Sequence, residues 1–145
     1  MIVNTIGSSI RMRFRTMDPA QSIRLAAAAF SDAGIGLLVV CDNDGRMLGV
    51  VSKSDLVRHL ASAGSAEAPI SCVMSDVVAT ASTEADLQAT WQFMALRRLQ
   101  NLPVVTAEHR PIGTLDIRDA LQALLKAEQQ QEDQLVRYIS GVGYR

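Results

Sequence analysis

The chain has 145 residues, 48% hydrophobic and 20% charged, with a formal net charge of −1. That composition excludes intrinsic disorder and a wide basic surface for nucleic acid, and the length suffices to bury an apolar core without metal or disulfide staples. Cys41 and Cys72 fit no metal-site spacing, and there is neither a signal-peptide core nor a run of roughly 18–20 apolar residues, so a soluble, cytoplasmic protein with reduced thiols is expected.

Near the start, Arg11, Arg13 and Arg15 alternate with Met12, Phe14 and Thr16, which predicts a strand with three guanidiniums on one face. An edge strand kept soluble by charge is a simpler account of them than a phosphate or nucleic-acid contact. After Thr16, alanine-rich periodicity predicts a helix over about 20–33. Strands follow at 37–40 and 47–51 around the turn Asp42-Asn43-Asp44-Gly45, and a second helix starts at Ser52. A small-residue stretch, 61–71, leads into the same order again. A strand ends near Thr80, a helix covers about 84–99, strands at 102–105 and 112–115 flank a turn at 108–111, and a helix starts at Asp116. From Asp119 to Ile139 one long helix is predicted, apolar at Leu121, Leu124 and Leu125, polar from Gln129 to Gln134, and apolar again at Leu135, Val136 and Ile139. Trp91, Phe93 and Met94 fall on the second copy's helix and are expected in its core.

The second order is a copy of the first. An offset of 64 carries Gly49 to Gly113 and Asp55 to Asp119, and it relates Thr16 to Thr80, Leu38 to Leu102, Val40 to Val104 and Arg46 to Arg110 without a gap. The fold class is therefore α/β (α+β): two β-α-β-β-α repeats packed as an intramolecular pseudo-dimer, with a C-terminal helical extension. Repeat one takes residues 1–62, a linker 63–72, repeat two 73–126, and the C-terminal helix and tail 127–145.

In each copy the chemistry concentrates where the last strand turns into a helix. Free N–H groups and the positive end of the helix dipole suit a phosphate there. Ser52 can donate its hydroxyl to a phosphate oxygen, and Asp55, one turn on, can accept from both hydroxyls of a ribose. Ser52 with Asp55, and Asp116 with Asp119, are also good helix caps, and capping alone accounts for either pair taken singly.

The stretch Gly49-Val50-Val51-Ser52-Lys53-Ser54-Asp55, its altered counterpart from Gly113 to Asp119, and the apolar strands in Gly34–Val40 and Leu99–Val105 resemble the cystathionine-β-synthase (CBS) domain. That domain occurs as an intramolecular pair, the Bateman module, and the resemblance covers about residues 10–125. It implies an adenine nucleotide, AMP, ADP or ATP, held as a regulatory ligand between the repeats. NAD and S-adenosylmethionine are alternatives, as is a ligand-free dimerisation scaffold. Residue by residue it implies one site of Thr16, Ile35, Gly36, Ser52 and Asp55, with Lys53 as a further phosphate contact, and a second of Thr80, Asn101, Leu102, Asp116 and Asp119. It also implies a homodimer and, with no effector domain in the chain, a regulated protein acted on in trans.

The two sites are not expected to be equal. Asp116 stands where the family carries a hydroxyl; an ionised carboxylate only accepts and repels a phosphate, so the second site should bind weakly or differently unless Arg97, Arg98 or Arg118 compensates. His59 and His109 have no neighbours at metal or nucleophile spacing. No catalytic residue, metal site, membrane partner or nucleic-acid partner is therefore expected, and an enzymatic reading has no acid/base pair to stand on.

Overall fold

In the computed structural model, which describes residues 1–76 and 78–143, the chain folds into two three-stranded sheets with their helices. Helix α1 (Gly7–Met12) precedes β1 (Thr16–Met17), α2 (Ile23–Phe30), β2 (Leu38–Cys41), β3 (Met47–Val51) and α3 (Lys53–Ala61). The second unit runs β4 (Ala81–Ser82), α4 (Leu87–Arg97), β5 (Asn101–Val105), β6 (Pro111–Asp116) and α5 (Ile117–Gly143). The strand orders are β1-β2-β3 and β4-β5-β6, each with a parallel first pair and an antiparallel second. The predicted repeat of β-α-β-β-α is thus realised twice.

Local sequence accounts for much of this. A parallel pair needs a crossover, which α2 and α4 supply. Ser22 and Asp86 cap their starts by accepting from the N–H groups of Leu25 and Ala89. Gly45, at φ +79°, closes the β2–β3 hairpin in the left-handed region that glycine adopts without cost. Alternation along the strands sends Leu38, Val40 and Val51 into one core with Ile23, Ala26 and Phe30. Leu102, Val104 and Leu115 enter the other with Leu87, Met94 and Ala120.

The segments leading into the two repeats depart from the sequence reading. The alternation from Arg11 to Thr16 does not make a strand: a 3-10 turn over Val3–Ile6 runs into α1, and β1 begins only at Thr16. Burial overrides the short alternating pattern, because Val3 and Ile10, two helical turns apart, are both fully buried in the core of the second unit. The linker does the reverse. Its turn at Ile70–Cys72 buries Ile70 in the first core, and Ser75 exchanges backbone hydrogen bonds of 3.0 and 2.9 Å with Val50 of β3. Each core is completed by the arm that precedes the other repeat.

The two arms dock alike but are not of equal length. Val3 and Asn4 donate to the carbonyls of Ala85 and Thr83, as Ile70 and Ser71 donate to those of Gln21 and Pro19. Val3 and Ile70 are therefore equivalent, yet they lie 67 apart and not 64, so the gapless register ends upstream of Thr16 and the first arm is three residues longer. Both arms open with a 3-10 turn, Val3–Ile6 and Ile70–Cys72, and in the first arm α1 follows it. Two glycines admit the arms: a Cβ on Gly49 would lie 2.5 Å from the Ser75 carbonyl oxygen, and one on Gly113 3.0 Å from Ile10.

Helix α5 is longer than expected, beginning at Ile117 and continuing to Gly143, about 40 Å at 1.5 Å per residue. Ala120 is fully buried, whereas Leu125, Leu135, Val136 and Ile139 are exposed. The end of the tail, residues 144–145, lies outside the described residues.

Candidate functional site

The turns from β3 into α3 and from β6 into α5 open on one cleft of ≈ 810 Å³ between the units. Ala33 to Leu37 without Gly34, together with Ser52, Lys53 and Ser54, line it from the first unit; Arg98 to Asn101, Ile117 and Arg118 line it from the second. The structure thus brings Ile35, Gly36, Ser52, Lys53 and Asn101 together. Thr16 lies apart, in a shallow pocket with Arg15, Met17 and Ala29, and Thr80 and Leu102 lie in another with Ala85 and Phe93. Asp55, Asp116 and Asp119 sit at the helix starts but are not among the residues lining the cleft.

The two loops meet closely at its floor. A Cβ on Gly36 would come within 2.6 Å of the Asn101 Nδ2, so any side chain there would displace the Asn101 amide. The Oδ1 of Asn101 is buried at this junction with no hydrogen-bond partner among the described residues. Arg98, which ends α4 in the left-handed conformation at φ 55°, turns the chain toward the cleft and places a cation on its wall.

At the start of α3 the acidic and hydroxyl groups serve each other. Ser52 Oγ accepts from the Asp55 N–H at 3.3 Å, while Asp55 Oδ2 accepts from the N–H and the hydroxyl of Ser52 at 2.8 and 2.9 Å. This is a complete capping box. Among the described residues an exposed guanidinium, Arg58 at 3.3 Å, reaches Asp55 Oδ1. Lys53, beside them, lies 6.0 Å from the Phe30 ring centroid with its ammonium on the cleft wall.

At the start of α5 the same positions are held by arginines. Asp116, 2% exposed, accepts from the backbone N–H and Nε of Arg118 at 2.8 and 3.0 Å through one oxygen and from Nη2 at 2.8 Å through the other. Arg13 reaches it from the opposite end of the sequence, with Nη1 at 3.6 Å. Burial pushes the Asp116 carboxyl up, but the hydrogen bonds from Arg118 and the charge of Arg13 outweigh it and hold the group below its ordinary value. Arg13 also grips Asp119 with both arms of its fork, Nε to Oδ2 and Nη2 to Oδ1 at 3.1 Å, and donates from Nη1 to the Gly34 carbonyl at 3.0 Å. That bond to Asp119 raises the Arg13 guanidinium above its ordinary value despite burial.

In the sequence Arg13 is one of three cations of an expected strand face, and nothing local signals a partner 106 residues away. Of Arg97, Arg98 and Arg118, the arginines near enough in sequence to compensate Asp116, Arg118 pairs with it. Among the described residues there is no group of three or more His, Cys, Asp or Glu that could hold a metal ion, and no helix long and apolar enough to cross a membrane.

The duplicated strand-to-helix turn facing a shared cleft has a counterpart among known families. The profile of the CBS domain matches twice, over residues 8–62 and 70–126. The chain belongs to the CBS-domain family. A CBS-domain protein of Agrobacterium tumefaciens, ATU1752, superposes with a TM-score of 0.68 at 29% identity, over 76% of this chain and 88% of that one. The CBS pair of MJ0100, solved with 5′-methylthioadenosine and S-adenosyl-L-methionine, gives 0.74 at 21% identity, over 88% and 98%. CBSX2, solved with AMP, gives 0.71 at 21%, over 85% and 97%. In sequence, an uncharacterized 17.7 kDa protein of Acidianus ambivalens is 25% identical over 86% of this chain and 76% of its own. The arabinose 5-phosphate isomerase GutQ of Salmonella typhi is 28% identical over 72% of this chain, but the match spans only 32% of GutQ. The CBS pair described here is thus similar to part of that enzyme.

Proposed function

We propose that this CBS pair binds one phosphorylated adenosine ligand, AMP, ADP or ATP, in the cleft between its units and regulates a partner protein in trans. The observation that carries the reading is the charge of the wall: Lys53 and Arg98 line the cleft with no carboxylate among the lining residues, and Arg118, which lines it too, is paired with Asp116. A phosphate fits that wall better than the sulfonium of S-adenosylmethionine or an uncharged nucleoside. Ser52 and Lys53 at the start of α3 supply a hydroxyl, backbone N–H groups and an ammonium for the phosphate. Asp55 acts as the ribose acceptor once its exposed pair with Arg58 yields. The adenosine ligands bound by CBSX2 and MJ0100 support the ligand class.

Calorimetric titration with AMP, ATP and S-adenosylmethionine tests this on the wild type and on Ser52→Asp, which copies the second unit's residue into the first. AMP or ATP is expected to bind, with affinity at least tenfold lower in the variant. Heat from none of the three at millimolar concentration rejects the reading.

A homodimer is the expected assembly, supported by apolar side chains left exposed on helix faces, among them Val57, Leu96 and Leu125. Sedimentation equilibrium measures it directly.

A further inference from the structure

We infer that Arg13 is a built-in occupant of the second nucleotide position, so that the wild-type chain takes one adenosine ligand and not two. The inference rests on the proposed ligand class and concerns the number of sites. In a symmetrical pair Asp119 would receive a ribose as Asp55 does. Here both oxygens of Asp119 are taken by a single guanidinium in the two-pronged geometry that makes arginine–carboxylate pairs strong. Neutral ribose hydroxyls make weaker bonds to a carboxylate and cannot displace it cheaply.

The rest of the environment holds Arg13 in place. Its third arm is fixed on the Gly34 carbonyl, next to the loop that lines the cleft, and its charge also faces Asp116. Arg118, on the other side, occupies both oxygens of Asp116. Behind Arg13, α1 is anchored through Ile10 and Val3, both fully buried. The phosphate end of this position therefore carries a carboxylate and the ribose end carries an arginine.

Arg13 is the C-cap of α1, with its backbone N–H on the carbonyl of Ser9, so the helix holds its guanidinium at the start of α5. At α3, among the described residues, Asp55 finds its partners within its own turn of helix, Ser52 and Arg58.

Stoichiometry tests the inference. Calorimetry with AMP is expected to give one equivalent per chain for the wild type and two for Arg13→Met combined with Asp116→Ser, which frees Asp119 and puts at 116 the hydroxyl that Ser52 supplies in the first unit; adding Asp119→Ala should return the count to one. Two equivalents in the wild type, or one in a folded Arg13→Met/Asp116→Ser chain, overturn the inference. Absence of AMP binding in every chain overturns the proposed ligand class as well. Thermal melting establishes that the variants fold, and a measurement on the wild type is independent of them. The Arg13 Nε–H resonance should remain, slow to exchange, through the first equivalent of AMP, and its loss at that equivalent overturns the inference.

Discussion

The starts of α3 and α5 occupy equivalent places in the two repeats and are stabilised by opposite means. At α3 a serine and an aspartate cap the helix between themselves, leaving Lys53 on the cleft wall. At α5 two aspartates face each other across one turn, and two arginines, one of them 106 residues distant in sequence, cancel their charge. A local solution leaves groups that can be turned to a ligand. A long-range one uses them up.

The arms supply the largest way to test the inequality. Gly49→Ala would force a Cβ against a backbone carbonyl at 2.5 Å and break the pairing of Ser75 with β3, at about 3 kcal/mol, whereas Gly113→Ala, with contacts at 3.0 Å, should cost about 1 kcal/mol. Urea denaturation of both variants measures the difference, and equal costs would mean that the two arms dock equally tightly.

Charge comes next. Removing Arg13 strands a part-buried Asp119, and Arg13→Ala should lower stability by about 2 kcal/mol. Arg58→Ala removes an exposed pair and should cost about 0.3 kcal/mol. Equivalent denaturation midpoints for these two would erase the distinction drawn between the helix starts.

Acid should expose the second unit. The Asp116 carboxyl titrates lower in the folded chain than in the unfolded one, so its contribution is fully present above about pH 4 and is lost as pH falls through the lower folded value. Melting temperature followed from pH 5 to 2 should therefore fall more steeply in the wild type than in Asp116→Asn.

The smallest effect concerns Thr114, fully buried in β6 with a hydroxyl that has no partner, where the first repeat carries Val50. Thr114→Val removes an unpaired polar group at nearly constant volume and should leave stability unchanged or raise it by up to about 1 kcal/mol. A lower melting temperature would show that the hydroxyl is bonded.

Much of this was legible in the sequence because it is local or periodic. The strand alternation around Leu38 and Leu102 and the cap at Ser52 depend on neighbours within a few residues, and the offset of 64 from Gly49 to Gly113 and Asp55 to Asp119 repeats such a local pattern along the chain. The alternation from Arg11 to Thr16 misled for the same reason: a period of two over six residues is a weak local signal, and burial of Val3 and Ile10 against a distant sheet outweighed it. The candidate site was legible in part. Ile35, Gly36, Ser52, Lys53 and Asn101 meet in the cleft, while Thr16, Thr80 and Leu102 face other surfaces.

The sequence by itself determined that two like units exist, where most of their strands and helices lie, though not α1, and that a carboxylate, Asp116, stands where the first unit has Ser52. It did so because periodicity, turn residues and caps are short-range properties written along the chain. Tertiary structure alone decided which arm completes which core and which cation answers Asp119. Those choices depend on shape and charge meeting between segments distant in sequence, 106 residues for Arg13 and Asp119, and no pattern in the sequence encodes that proximity.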